Sequence, residues 1–199
     1  MRAEVRRADR SDVDAISQVL ADAFADYPWT RWTVDGEAHG ERVRGLQRLA
    51  MESLVLPYGE AWVAVDEAGE VVGAALWMLP NRSVPASVFT EMGAEVARLE
   101  GSRHAASVAA EALVSPLRPV APHYYLGAVG TRRDRQRRGY GASVIAPVLD
   151  RARAERAPVF LETSEITNVE FYLRLGFVTV SELDIPDGGP HVWTMQLDK

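Results

Sequence analysis

At 199 residues, 47% of them hydrophobic and 25% charged, the chain has the size and balance of one globular domain with a sizeable core. Its formal net charge of −6 argues against a general nucleic-acid or membrane-surface role and favours cationic small partners. The absence of cysteine excludes disulfides, thiolate metal sites and a cysteine acyl-enzyme, and it fits a cytoplasmic protein.

In chain order, Ala3 to Ala8 reads as a short strand, after an N-terminus without the apolar core of a signal peptide. Ser11 is expected to cap a helix, with Asp14 as its box partner and Val13, Ile16, Val19, Leu20 and Phe24 at helical spacing. Tyr27-Pro28-Trp29 should end it, leaving an aromatic loop through Trp32 as lid or core. Glu41 to Leu56 reads as a second helix, and Ala61–Val65 and Val71–Leu79 as a hairpin around Asp66 to Glu70. That last strand is the longest apolar run, and it is far too short to span a bilayer. Helical patterns follow from Val84 to Leu99 and Ser102 to Leu113, broken by Gly101 and closed by Pro116 and Pro119. A strand from Tyr124 to Val129 leads to a helix from Tyr140 to Glu155, in which Pro147 should cause a kink or restart. Pro158–Thr163 is a buried-strand run. Thr167 to Glu170 matches a capping box for a helix reaching Leu175, and two strands, Phe177–Leu183 and Val192–Leu197, close the chain. The whole reads as one α/β domain, residues 1–199.

The turn between the central strand and its helix carries the first chemical signal. Gln136-Arg137-Arg138-Gly139-Tyr140-Gly141 has the form Q-x-x-G-x-G. Glycines there let the backbone come close to an anion, and the free N–H groups of a helix start would point at it. Five arginines between Arg132 and Arg138 add positive charge. No Lys-Ser or Lys-Thr follows, so this is not a Walker loop, and the spacing is not that of a dinucleotide fingerprint. Ordinary turn chemistry or a nucleic-acid patch are the blander alternatives. An acidic chain with its arginines in one turn suits a compact polyphosphate better than a duplex.

The second signal is Phe160-Leu161-Glu162-Thr163-Ser164, followed by Asn168, Phe171, Tyr172 and Gly176-Phe177. Asn168 and Tyr172 are four apart and share a helix face. Glu162, in an otherwise apolar strand, is either a structural partner of an arginine or a carboxylate held where it works as a base.

Order and spacing together resemble the Gcn5-related N-acetyltransferase (GNAT) superfamily, whose acetyl-CoA motif is Q/R-x-x-G-x-G/A. The family's Asn-x-x-x-x-Phe-Tyr-x-x-x-Gly-Phe signature appears, with shorter early spacing, as Asn168, Phe171-Tyr172 and Gly176-Phe177. More narrowly, the chain is similar to the puromycin N-acetyltransferases within it along nearly its whole length. Ala23 to Pro28, Thr33 to Asp35, Glu41 to Val43, Gly101 to Arg103, Phe160 to Ser164 and Arg174 to Phe177 carry that similarity. Departures are Arg133, where the family often has proline, and the bulky Trp29 and Trp32.

The resemblance implies a single GNAT fold, a central mixed, largely antiparallel sheet flanked by helices, with the cofactor core at about 122–183. It implies transfer of an acetyl group from acetyl-CoA to the primary amine of a small molecule, puromycin-like aminonucleosides included, with no covalent enzyme intermediate. Backbone groups of Val129 and Thr131 would meet the pantetheine arm. Gln136 and the amides of Arg137, Arg138, Gly139, Tyr140, Gly141 and Ala142 would form the pyrophosphate cradle, with Asn168 binding further along the pantetheine. Glu162 would be the base, through a water, and Tyr172 the acid for the departing thiolate. An α-amino acceptor, with a reference pKa of ~8, needs less help than a lysine at ~10.4. Tyr27, Trp29, Trp32, Trp77 and Tyr125 are the expected acceptor-site residues. Four histidines lack ligand spacing, so no metal is expected, nor a nucleic-acid or membrane partner; monomer and homodimer stay open. A protein or peptide acetyltransferase and a non-catalytic acyl-CoA-binding regulator are the alternatives.

Overall fold

In the computed structural model, which describes residues 3–198, the first helix begins with a different cap from the one expected. Asp9, not Ser11, is the cap: its carboxylate accepts from the Ser11 amide at 2.7 Å, while the Asp9 amide donates to Asp12 at 2.9 Å. Arg6 on β1 (Glu4–Arg7) grips Asp12 with two bonds of 2.7 Å, tying the strand to the helix start. Asp14 pairs instead with Arg48 on another helix. From there α1 (Val13–Phe24) buries Val13, Ile16, Val19 and Leu20, the stripe its spacing dictates.

Residues 28–33 are not a loop. Pro28 starts a short helix, α2 (Pro28–Thr33), because a first-turn proline forfeits only an amide that has no partner there. The second long helix runs as α3 (His39–Ala50), a π-helical stretch over Met51–Val55, and a last turn, α4 (Leu56–Tyr58). Pro57 has no amide to offer Ser53, so the ladder shifts register ahead of it. A hairpin of β2 (Gly59–Val65) and β3 (Val71–Met78) follows, then α5 (Ala86–Glu100) and α6 (His104–Val114). The remainder is β4 (Tyr124–Thr131), α7 (Tyr140–Glu155), β5 (Val159–Thr163), α8 (Ile166–Arg174), β6 (Val178–Asp184) and β7 (His191–Leu197). α7 continues through Pro147. α8 starts at Ile166 after an extended Glu165 with no side-chain cap, so Thr167 lies inside the helix and the expected capping box is not made.

The strands form one seven-stranded sheet in the order β1-β2-β3-β4-β5-β7-β6, antiparallel everywhere except between β4 and β5. α1 and the π-helical stretch cover one face over Ala61, Val63, Ala74 and Leu76; α7 and α8 cover the other over Ala75, Trp77, Leu126 and Leu161. β3 is therefore buried on both faces, which is why Val71–Met78 reads as a continuous apolar run. This is the single-domain α/β sheet fold expected of the resemblance. Among the described residues no helix is long and apolar enough to cross a membrane.

Candidate active site

The sheet splits where its one parallel pair ends. β4 and β5 pair only from Tyr124 to Leu126 against Val159 to Leu161. Beyond that point β4 stays with β3, while Glu162 and Thr163 stay with β7. Gly127 is skipped in the pairing of β3 with β4, a bulge that bends β4 away at the fork. Arg132 donates its amide to Val72 at 3.0 Å, so the alternation of an antiparallel ladder turns Gly130 toward β3 and the backbones of Val129 and Thr131 toward the gap. A side chain at Gly130 would meet Ala23 at 2.7 Å, and this close approach lets α1 form the roof of the gap.

At the end of β4 the chain makes two left-handed steps, Arg137 at φ 60° and Gly139 at φ 85°, before α7 begins. Successive amides in such a turn converge on one side, and no side chain caps α7, so its first N–H groups have no protein acceptor. Nothing lies within 4 Å of a Cβ built on Gly139; the space in front of the turn is open. The arginines contribute less than their number suggests. Arg132 pairs with Glu70 and Asp134, Arg133 with Asp26, and Arg135 with Asp66. Among the described residues only Arg137 and Arg138 of the five make no ion pair.

A cleft of about 600 Å³ runs from this turn along Val129 and Thr131 to Asn168 and Tyr172, and it also takes in Gln136, Tyr140, Gly141 and Ala142. It adjoins a cavity of about 210 Å³ at the fork, lined by Tyr125, Glu162, Asn168 and Tyr172 among others. Glu162, Asn168 and Tyr172 thus face one space, while Arg138 lines a separate hollow with Asp66 and Arg135. Tyr172 is 5% exposed, packed edge-on against Phe171 and Phe177. Burial, with Tyr27 adding to it, pushes its phenol well above the usual range, so the hydroxyl stays protonated at neutral pH. Asn168 donates to Thr163 at 3.2 Å.

Glu162 has company that the sequence did not disclose. Arg118 donates to both its oxygens, at 2.6 and 3.0 Å, and to both oxygens of Glu111, at 2.5 and 3.2 Å. Tyr125 donates to Glu162 at 3.1 Å, and the guanidinium carbon lies 5.6 Å from the Tyr125 ring centre. Burial alone would lower the Arg118 guanidinium; the bonds to Glu162 and Glu111 outweigh it and raise it further. Burial likewise pushes up the Tyr125 phenol, beside Glu162. Nothing in the sequence marks Arg118 or Glu111: Arg118 stands in a loop between two prolines, and Glu111 reads as the polar face of a helix.

The aromatic set divides. Tyr27 anchors α2 to the fork, accepting from the Ser164 amide at 2.7 Å and donating to Thr163 at 3.1 Å, while the Trp29 amide donates to Ser164 at 3.1 Å. Tyr27, Trp29 and Tyr125 line the fork cavity. Trp77 touches a neighbouring apolar cavity, yet it is fully buried in the core under α7. Trp32 lines neither cavity: one helical turn beyond Trp29, it packs with it on Ala110, Val114 and Ile185, with Arg103 over its ring.

A model of the acetyltransferase (GNAT) family matches residues 21–177. The structure of histone acetyltransferase HPA2 and related acetyltransferase from Corynebacterium glutamicum is similar with a TM-score of 0.74 and 26% identity, over 100% of this chain and 98% of that one. A polyamine N-acetyltransferase from Drosophila melanogaster that catalyses formation of N-acetylagmatine has a TM-score of 0.65 at 17% identity, over 98% and 99%. Arylalkylamine N-acetyltransferase 2 from Aedes aegypti has a TM-score of 0.67 at 10% identity, over 100% and 99%. At such identities these last two likenesses concern the fold.

Proposed function

The chain belongs to the acetyltransferase (GNAT) family, and from that premise we propose that it acetylates the primary amine of a small molecule by direct attack within a ternary complex. The observation that carries the reading is the continuity of one groove, from uncapped amides at the start of α7 to a cavity holding both Glu162 and Tyr172. The residues present fit acetyl-CoA: the left-handed turn at Arg137 and Gly139 leaves room for a diphosphate that a Cβ would occupy. When bound, acetyl-CoA supplies the activated acetyl group.

The amides of residues 137–142 hold the diphosphate, and Gln136 shapes the turn before them. Val129 and Thr131 offer backbone groups to the pantetheine arm along the open edge of β4, and Asn168 contributes farther along it. Tyr172, neutral and at the fork, is the proton donor to the departing sulfur. Glu162 takes a proton from the acceptor ammonium through a water, using the lone pairs that Arg118 and Tyr125 leave free. Tyr27, Trp29 and Tyr125 bound the acceptor space.

The similarity to the puromycin N-acetyltransferases in the stretches around Tyr27 and Glu162 supports a puromycin-like aminonucleoside as the finer form of the reading. Trp29 from α2 and Glu111 and Val114 from α6 wall the cavity, which argues for a small acceptor over an extended polypeptide. Release of free CoA thiol from acetyl-CoA and an amine panel tests the reading, with no thiol background from a cysteine-free chain. Amine-dependent release is expected; acetyl-CoA binding without turnover of any amine would leave only the regulator.

A further inference from the structure

We infer that the acceptor is a monocationic amine with an apolar body and no anionic group, an inference that rests on the amine-acetyltransferase reading above. Beside the fork lies a second chamber of about 300 Å³, which shares Phe24, Tyr27, Trp29 and Tyr125 with the fork cavity. Its further walls are apolar, chiefly Leu54, Val55, Leu76 and Met78. Among the described residues no Asp, Glu, Lys or Arg lines it. Its polar groups are mostly engaged. Thr30 donates to the Phe24 and Tyr27 carbonyls, Tyr27 bonds Thr163 and Ser164, and Tyr125 bonds Glu162. The Gln47 amide and the indole N–H of Trp77, a donor without a partner among the described residues, are what is left on the wall.

The fork cavity has the opposite character. Glu162 and Glu111 enclose Arg118, two carboxylates to one guanidinium, so the cluster carries one excess negative charge. Both edges of the Arg118 fork are engaged by those carboxylates, so a substrate carboxylate finds repulsion and no free guanidinium edge. An ammonium is therefore favoured at the fork, while the rest of the acceptor enters the chamber. A second ammonium in the chamber would be buried without a counter-charge.

Matched pairs test this with acetyl-CoA saturating and thiol release as the readout. Hexylamine against 1,6-diaminohexane adds a second cation; phenethylamine against phenylalanine adds a carboxylate. The monoamine is expected to have the higher kcat/KM by at least about a hundredfold in each pair. Pair members within about threefold of each other would overturn the inference while leaving the acetyltransferase reading intact. So would a faster rate with a medium-chain acyl-CoA accompanied by loss of amine preference, since the chamber would then serve the acyl chain. If no amine turns over the inference falls too, and calorimetry with acetyl-CoA then decides whether the cradle falls with it. Gln47→Glu places a carboxylate in the chamber and is expected to raise diaminohexane relative to hexylamine by about tenfold; an unchanged ratio counts against the chamber as binding site. Leu54→Glu supplies the same charge should Gln47→Glu not fold.

Discussion

Arg118 donates to four carboxylate oxygens at once, and the fork cavity takes its charge from that arrangement. Arg118→Leu leaves Glu162 and Glu111 facing each other without their cation. It should cost about 1–3 kcal/mol in urea unfolding, less than a fully buried pair because Glu111 is half exposed. The loss should shrink when Glu162→Gln is added, since the two changes remove one interaction. Tyr172 separates binding from chemistry: Tyr172→Phe should lower turnover by about ten- to a hundredfold, with acetyl-CoA affinity by calorimetry changed no more than a few-fold. Unaltered turnover would remove Tyr172 from the acid role. Residue by residue, the sequence told that Glu162 was a carboxylate in an apolar strand and left open whether an arginine held it. It could not supply the arginine, which is 44 positions away and set in register only by the crossing of loop and sheet.

The elements repeat this at larger spacing. Apolar periodicity placed every strand and long helix, because burial of a stripe or a pleat is written in the residues themselves. Ends were harder. Asp9 and Asp12 form the cap that Ser11 and Asp14 were expected to make, and the deciding factor is Arg6, reaching across from β1 to hold Asp12. The Arg6 bond, countered by burial, depresses the Asp12 carboxyl below its ordinary 3.8. A depressed carboxyl stabilises the fold above its unfolded pKa and loses that contribution as pH falls through the folded value. Asp12→Asn should therefore cost about 1–2 kcal/mol at pH 7, and urea curves should show the gap to wild type closing as pH falls below 3.8. A gap constant with pH would assign the loss to the cap geometry alone. Likewise, proline at position 28 was a stop signal and is a start, since the same residue suits either side of a helix boundary.

For the whole molecule, ligand linkage is the broadest check. Acetyl-CoA at a hundred times its Kd should stabilise the protein by about 2.7 kcal/mol, seen as a rise in Tm. Gly139→Val should abolish that rise by filling the open space before α7, at a cost to the free protein of about 1–3 kcal/mol for a β-branched residue at φ 85°. A full shift in the variant would rule out the cradle. What the chain alone determined was the sheet-and-helix order, the glycine turn before α7 and the pairing of Asn168 with Tyr172 on one face, all of them short-range properties of spacing and backbone freedom. Only the tertiary structure decided that three of five loop arginines are neutralised, that Arg118 holds Glu162, and that Trp32 packs behind Trp29 while an uncharged chamber opens beside the fork. Those outcomes depend on which charges and surfaces meet across the fold, and distance along the chain carries no information about that.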